Sequence, residues 1–473
     1  MCGVTGRIDF AGRDVIPYIL VDLICLQNRG RDATGFVVGY TDKQVPYEPW
    51  KKLGSAGSLF GKESGEKAEE LIERYQGDIG IGHVRYTTAG ERTNKATQPH
   101  GFKHGGQSVV LASNGDIPFY DDVRRELTTR GCRFASRCDA EVLVNLVGLG
   151  IYHDRQDEVE TFANVGRTLQ AAYSLAAITP SGKLLGMRDP WGIRPLFWGQ
   201  NKDGAMISSE SAIMDGEFGT SIHEVEPGTI VVLTRDGEAT VHRFAEAQRR
   251  FCLMEVYYFS RPDSTFRGIT LDQVRYELGC EAAREWLERG YPKPDVVAPM
   301  PFSGGPAAEG CAATLGAHFR SVVKKDRFGG GRIFMYDQLS RAELAEISLS
   351  VVKEATEGRS VLLVDDSIIR ADQIKVVCRK LQQAGAKSIY FISTAPPYRN
   401  PCFLGFNTPE TGLLIAHGRT VEEVRLAVPG LNHLHYLTLK GTFKVMGGDQ
   451  FCTGCYTGLS GYPVPVPDGG IEA

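Results

Sequence analysis

Two unlike domains in tandem are predicted: an α+β domain built on short strands, then an α/β domain around a parallel sheet. Three observations carry this. Through residues 1–115, short apolar runs such as GDIGIGHVRYTT and QSVVLASNGDI alternate with Gly and polar turns, the mark of buried strands. Further on, SLAAITPSGKLLGMRDP and TIVVLTRDG read as hairpins around Ser181-Gly182 and Asp236-Gly237. Beyond residue 245 the pattern becomes strand, helix, strand at crossover spacing, which argues a doubly wound sheet.

In chain order, helical periodicity marks Asp121–Gly131 and Asp139–Gly148, and PLFWG adds a strand before the second hairpin. In the second domain Leu271–Arg289 is a long amphipathic helix and Asp295–Pro299 a short apolar run ending in Pro and Gly. Ile347–Thr356 is read as helical, Ser360–Val364 as a buried strand, Asp372–Ala384 as a helix and Ser388–Thr394 as a strand. Sheets of this kind take ligands at the carboxyl ends of their strands. The expected limits are 2–245 and 246–460, with a loose Pro- and Gly-rich tail over 461–473. No internal repeat is visible.

The 473 residues are 42% hydrophobic and 23% charged, with a net charge of -4. That is an ordinary soluble composition, without the basic footprint of a nucleic-acid binder. No window is apolar enough for a membrane span, and the opening MCGVTGRIDFAGRD has charges where a signal peptide needs an apolar core. A cytoplasmic, reducing location is expected. There the 11 cysteines should be thiols, metal ligands or catalytic groups more often than disulfides.

Cys2 is the first candidate for chemistry. Methionine is generally trimmed before a small residue, which would leave the Cys2 thiol beside a free α-amine. Such an amine has an unperturbed pKa of roughly 7.7–8.0, suited to a general base at neutral pH. Thiol and base on one residue fit acyl transfer through a thioester. A second-position Cys taken alone could equally be incidental.

Its neighbours narrow the choice. MCGVTG, LQNRGRDATGF, GHVRYTTAG, ASNGDI, DAEVL and GMRDPWGIRPL follow in order, and together they resemble the class II, N-terminal-nucleophile glutamine amidotransferases over the whole first domain. The resemblance implies a four-layer αββα sandwich. It also implies that Arg85 binds the glutamine carboxylate, that Asn114 and Gly115 form the oxyanion hole, and that Asp139 grips the substrate amino group. Each role suits its chemistry: a bidentate fork for a carboxylate, converging amides for an oxyanion and a carboxylate for an ammonium. The bland readings are a surface Arg, a turn Asn-Gly and a helix-capping Asp.

Cys452 and Cys455 form a CxxC, which by itself could be a zinc half-site, a redox pair or chance. FCLMEVYYFSRPDS, PPYRNPCFLGFNTPE and FCTGCYTG resemble stretches of the iron–sulfur subgroup of the amidophosphoribosyltransferase family. That resemblance implies a [4Fe–4S] cluster on Cys252, Cys402, Cys452 and Cys455. Four thiolates also suit structural zinc. The six other cysteines are read as core or incidental thiols.

SVLLVDDSIIR is similar to the signature of the phosphoribosyltransferases, in which the acidic pair, here Asp365 and Asp366, contacts ribose hydroxyls and Mg²⁺. Ser367 joins them as a candidate acceptor-site residue. The family then continues Gly-Thr-Thr-Ser around a 5′-phosphate, where this chain has Ala371, Asp372, Gln373 and Ile374. Two hydroxyls are gone, and a carboxylate stands where like charges repel by several kcal/mol at roughly 4 Å. A pyrophosphate loop Pro-Asp-Ser-Gly is matched by Pro301, Phe302, Ser303 and Gly304, and a basic mobile loop by Glu346, Ile347, Ser348 and Leu349. Lys324, Lys325 and Arg332 are nearby cations that could compensate. The expectation is a homo-oligomeric glutaminase that passes ammonia to a small-molecule acceptor other than phosphoribosylpyrophosphate. One alternative is the ordinary reaction giving 5-phosphoribosylamine. The other is a non-catalytic scaffold that feeds a partner enzyme.

Overall fold

The computed structural model describes residues 1–42, 48–61, 67–87, 91–325, 341–406, 408 and 410–466. Arg332 and residues 467–473 of the tail lie outside them.

In the first domain two antiparallel sheets face each other. One runs in the order β11-β9-β10-β1-β4-β2-β3: β1 is Gly3–Asp9, β2 Ala33–Gly39, β3 Trp50–Leu53, β4 Ile79–Arg85, β9 Phe197–Gln200, β10 Gly204–Ser208 and β11 Ile222–Glu224. The other runs β13-β12-β8-β7-β6-β5: β5 is His100–His104, β6 Gln107–Asp116, β7 Ala172–Ile178, β8 Leu184–Arg188, β12 Thr229–Leu233 and β13 Ala239–Arg243. Val4, Ile8, Ile79 and Ile81 from the first meet Val110, Ala112, Ala176 and Ile178 from the second. The strands with two buried faces are therefore apolar throughout. The hairpins at Ser181-Gly182 and Asp236-Gly237 form as expected, joining β7 to β8 and β12 to β13.

Helices complete the outer layers. α1 (Ile16–Cys25) lays Ile16, Ile19, Leu20 and Leu23 on the first sheet, each worth roughly 1.5–3 kcal/mol of burial. α2 (Tyr120–Thr129), α3 (Asp139–Tyr152) and α4 (Glu158–Thr168) cover the second sheet. The result is the four-layer αββα sandwich.

The second domain carries a five-stranded sheet in the order β16-β15-β17-β18-β19: β15 is Val296–Pro299, β16 His318–Phe319, β17 Ser360–Asp365, β18 Ser388–Ser393 and β19 His433–Tyr436. All its pairings are parallel. On β17, Val361 and Leu363 face α7 (Asp372–Gln383), while Leu362 and Val364 face α5 (Leu271–Glu288) and α6 (Gly305–Leu315). Burial on both faces explains the continuous apolar run.

Two expectations need correction. Ile347–Thr356 is not one helix: a helix ends at Ser348, Leu349–Val351 is a strand paired with Val323–Lys325, and a short helix follows at Lys353–Thr356. The β-branched Val351 and Val352 suit the extended backbone better than the helix. The tail is also not loose from 461, since Val464 is buried and the Tyr462 hydroxyl donates to the Pro401 carbonyl.

Candidate active site and cysteine quartet

Cys2 stands at the head of β1, where the two sheets and the second domain meet, and it is 8% exposed. Its backbone N–H donates to Asn114 Oδ1 at 3.2 Å. Its carbonyl accepts from Arg29 Nε at 2.9 Å, and its Sγ lies 3.6 Å from the Tyr86 carbonyl. Asn114 is buried on β6, and its Nδ2 has no hydrogen-bond partner. A buried amide donor without an acceptor costs about 1–3 kcal/mol, so this one is set for a group that binds there. Gly115 follows; a Cβ at that position would lie 1.9 Å from the Ala172 carbonyl oxygen, and only glycine lets β6 and β7 approach so closely.

Arg85 ends β4, buried, with Nη1 donating to the Glu91 carbonyl at 2.9 Å. Asp139 opens α3, where its Oδ1 accepts the Ala140 N–H at 2.9 Å. Burial raises the Asp139 carboxyl, while the Ala140 N–H and then the Arg85 charge act the other way. The sequence reading missed Asp116. Burial and the neighbouring Asp139 push its carboxyl up to about 8. The signal was present as the acid directly after Asn-Gly in ASNGDI.

Also missed was the buried ionic link behind Cys2. Arg29 Nη1 bonds Glu210 at 2.7 Å and Nη2 bonds Glu255 at 2.6 Å, with all three side chains fully buried. Glu255 begins a π-helical turn, Glu255–Phe259, in the second domain. The Cys2 carbonyl is therefore tied through one guanidinium to the next domain.

In the second domain the chain reverses its strand order between β15 and β17, and the crevice at such a point is the usual ligand site. Asp365 Oδ1 accepts from Ser303 Oγ at 2.7 Å across it, and Ser367 Oγ donates to Asp366 Oδ2 at 2.6 Å. Burial raises both carboxyls, and for Asp365 the Asp366 charge adds to it. Phe302 (φ 78°) and Ala371 (φ 67°) both hold left-handed backbone, which non-glycine residues adopt at a cost. Both lie in the crevice loops. The Phe302 side chain is 73% exposed, with Lys325 Nζ 5.4 Å from its ring centroid. Ile374 is buried in the core behind α7, and Asp372 starts that helix. Glu346 pairs with Arg379 and Lys380 of α7.

The four cysteines singled out come together from distant segments. β14 (Phe251–Cys252) pairs in parallel with β20 (Phe451–Cys452), placing Cys252 opposite Cys452. Burial first, then the Cys402, Cys452 and Cys252 thiols, push Cys455 well up. All four are free thiols. Among the described residues no three His, Cys, Asp or Glu side chains are grouped so as to hold a metal ion.

Paired sheets headed by Cys2, joined to a doubly wound sheet with its acidic pair, define an N-terminal-nucleophile glutamine amidotransferase followed by a phosphoribosyltransferase-type domain. A glutamine amidotransferase domain model matches residues 83–216. The amidophosphoribosyltransferase of Methanocaldococcus jannaschii is 32% identical, with 98% of each chain covered. That of Pyrococcus horikoshii is 34% identical over 97% of this chain and 96% of its own. The solved glutamine phosphoribosylpyrophosphate amidotransferase of B. subtilis, complexed with ADP and GMP, superposes with a TM-score of 0.84 at 29% identity, covering 99% of this chain and 98% of its own. The chain belongs to the amidophosphoribosyltransferase family. No helix among the described residues is long and apolar enough to cross a membrane.

Proposed function

We propose that this protein hydrolyses glutamine at Cys2 and uses the ammonia in the second-domain crevice to aminate phosphoribosylpyrophosphate, giving 5-phosphoribosylamine. The observation that carries the first half is the partnerless Asn114 Nδ2 beside Cys2. With Met1 removed, the Cys2 amine takes the thiol proton as Sγ attacks the glutamine carboxamide carbon. Asn114 Nδ2 and the Gly115 N–H receive the oxyanion. Collapse breaks the C–N bond, the amine returns the proton to the leaving nitrogen as ammonia departs, and water hydrolyses the thioester to glutamate. Arg85 takes the substrate carboxylate and Asp139 its ammonium.

Asp116 should make this site pH-sensitive. Burial, then the Asp139 charge, push its carboxyl up to about 8. As pH rises through that value a second negative charge develops near the ammonium, so KM for glutamine should fall. Asp116→Asn should flatten that dependence, measured as KM against pH by glutamate release. An unchanged slope in the variant removes Asp116 from the site.

The acceptor half rests on the relatives matched over nearly their whole length, which are amidophosphoribosyltransferases; they lend the expected change of acceptor no support. Asp365, Asp366 and Ser367 would hold Mg²⁺ and ribose hydroxyls, and the left-handed backbone at Phe302 and Ala371 would turn N–H groups toward phosphates. A second reading, a different acceptor, is favoured by Ile374, which is buried in the core and offers no hydroxyl, and by the Asp372 carboxylate. Calorimetry with Mg²⁺ separates the two. Phosphoribosylpyrophosphate binding below about 100 μM with phosphoribosylamine formed from glutamine is expected. Millimolar binding and no product would favour the second reading.

The cysteine quartet fits a [4Fe–4S] cluster on Cys252, Cys402, Cys452 and Cys455. Four thiolates also suit structural zinc, and iron, sulfide and zinc analysis of the anaerobically purified protein separates the two. Bound, it would cross-link four distant segments. A reducing, cytoplasmic compartment follows from this reading.

A further inference from the structure

Arg194 is fully buried between the cysteine quartet and the nucleophile, and neither role above uses it. The residue before it, Ile193, accepts the Cys252 N–H at 3.2 Å. Its own Nη2 donates to the Leu404 carbonyl, and the Leu404 N–H in turn donates to Cys402 Sγ at 3.4 Å. Arg194 thus links the two: the backbone beside it holds the strand that carries Cys252, and its guanidinium holds the turn that carries Cys402.

Its remaining donors are unmet: Nε and Nη1 have no hydrogen-bond partner. The nearest carboxylate, Glu255, lies 3.7 Å from Nη1, beyond hydrogen-bond range, and is already bonded to Arg29 at 2.6 Å. A guanidinium cannot shed its charge, and each unmet buried donor is destabilising. Neutral thiols are weak acceptors; thiolate and sulfide sulfur are anionic ones. Burial works against the Arg194 charge, and negative charge at Cys252, Glu255 and Cys402 would support it.

We propose that Arg194 is a positioning residue for the quartet, its Nε–H and Nη1–H donating to sulfur on the Cys252–Cys402 side and balancing the negative charge held there. This rests on the cluster reading. Hydrogen bonds to cluster sulfur raise reduction potentials, so Arg194 would set the potential as well as the docking of the Cys402 turn. That turn reaches the glutaminase: a Cβ on Gly405 would lie 3.0 Å from the Gly115 carbonyl and 3.2 Å from Arg194 Nη2.

The test uses anaerobically purified whole protein. Iron and sulfide at about four each per chain are required first; stoichiometric zinc without iron overturns the cluster reading itself, separately from the role of Arg194. With iron present, EPR-monitored reduction should give a lower potential for Arg194→Met than for wild type, with Arg194→Lys in between because it keeps the charge and loses the fork. Equal potentials in all three overturn the assignment. Wild-type protein carrying ¹⁵N-arginine needs no variant: the reduced sample should show a ¹⁵N hyperfine coupling that Arg194→Lys loses. Absence of that coupling in wild type also overturns it.

Discussion

A Cys2→Ala variant is expected to lose glutamine hydrolysis by a factor on the order of 10⁴–10⁶, the scale at which removing a covalent nucleophile acts, while keeping its fold. The side chain is small, and among the described residues its Sγ makes one polar contact, the 3.6 Å approach to the Tyr86 carbonyl, so truncation costs little stability. Cys2→Ser should behave similarly, because an alcohol beside an amine of ordinary basicity is a far weaker nucleophile than a thiol. An N-terminal extension that cannot be removed should match the loss with the thiol intact. With Met1 attached, the nitrogen of Cys2 is an amide that donates to Asn114 Oδ1 and has no lone pair to accept a proton. Glutamate release at the wild-type rate from either variant would contradict the assignment.

The second large effect is expected at Asn114. Asn114→Ala should lower kcat for glutamate release by about 10²–10³-fold with little change in KM, since an oxyanion donor acts in the transition state far more than in the ground state. The buried, partnerless Nδ2 makes the variant tolerable for folding: truncation removes an unsatisfied donor together with the 3.2 Å bond from the Cys2 nitrogen. Steady-state kinetics decide the point. A change confined to KM would make Asn114 a ground-state binder.

What was legible in the sequence was local. Cys2, Arg85, Asn114 and Asp139 each sit in a short motif; in the fold the Cys2 N–H donates to Asn114 Oδ1, and Arg85 is near enough to Asp139 to favour its charged form. The acidic pair was legible for the same reason: β17 is a run of buried residues ending where the chain must turn. α1 was not read as a helix because apolar residues lie all round it. Ile16 and Ile19 are buried while Tyr18, Val21 and Ile24 are exposed, so no 3.6-residue period stands out. Arg29, Arg194 and Glu255 were invisible as a set because their meaning is a contact between domains, and nothing near any of them in the chain announces the partner. Ala371 was legible as a substitution, but its left-handed backbone was not, since alanine is seldom found there. In the reaction proposed above, that backbone would leave phosphate binding to main-chain N–H groups.

Mass mapping after reaction with an electrophilic glutamine analogue, a chloroketone in place of the carboxamide, tests the nucleophile most directly. One adduct per chain is expected, on the Cys2 sulfur of protein lacking Met1, formed in step with loss of glutaminase activity and slowed by glutamine. Activity lost with Cys2 unmodified, or full activity with Cys2 alkylated, would contradict the assignment.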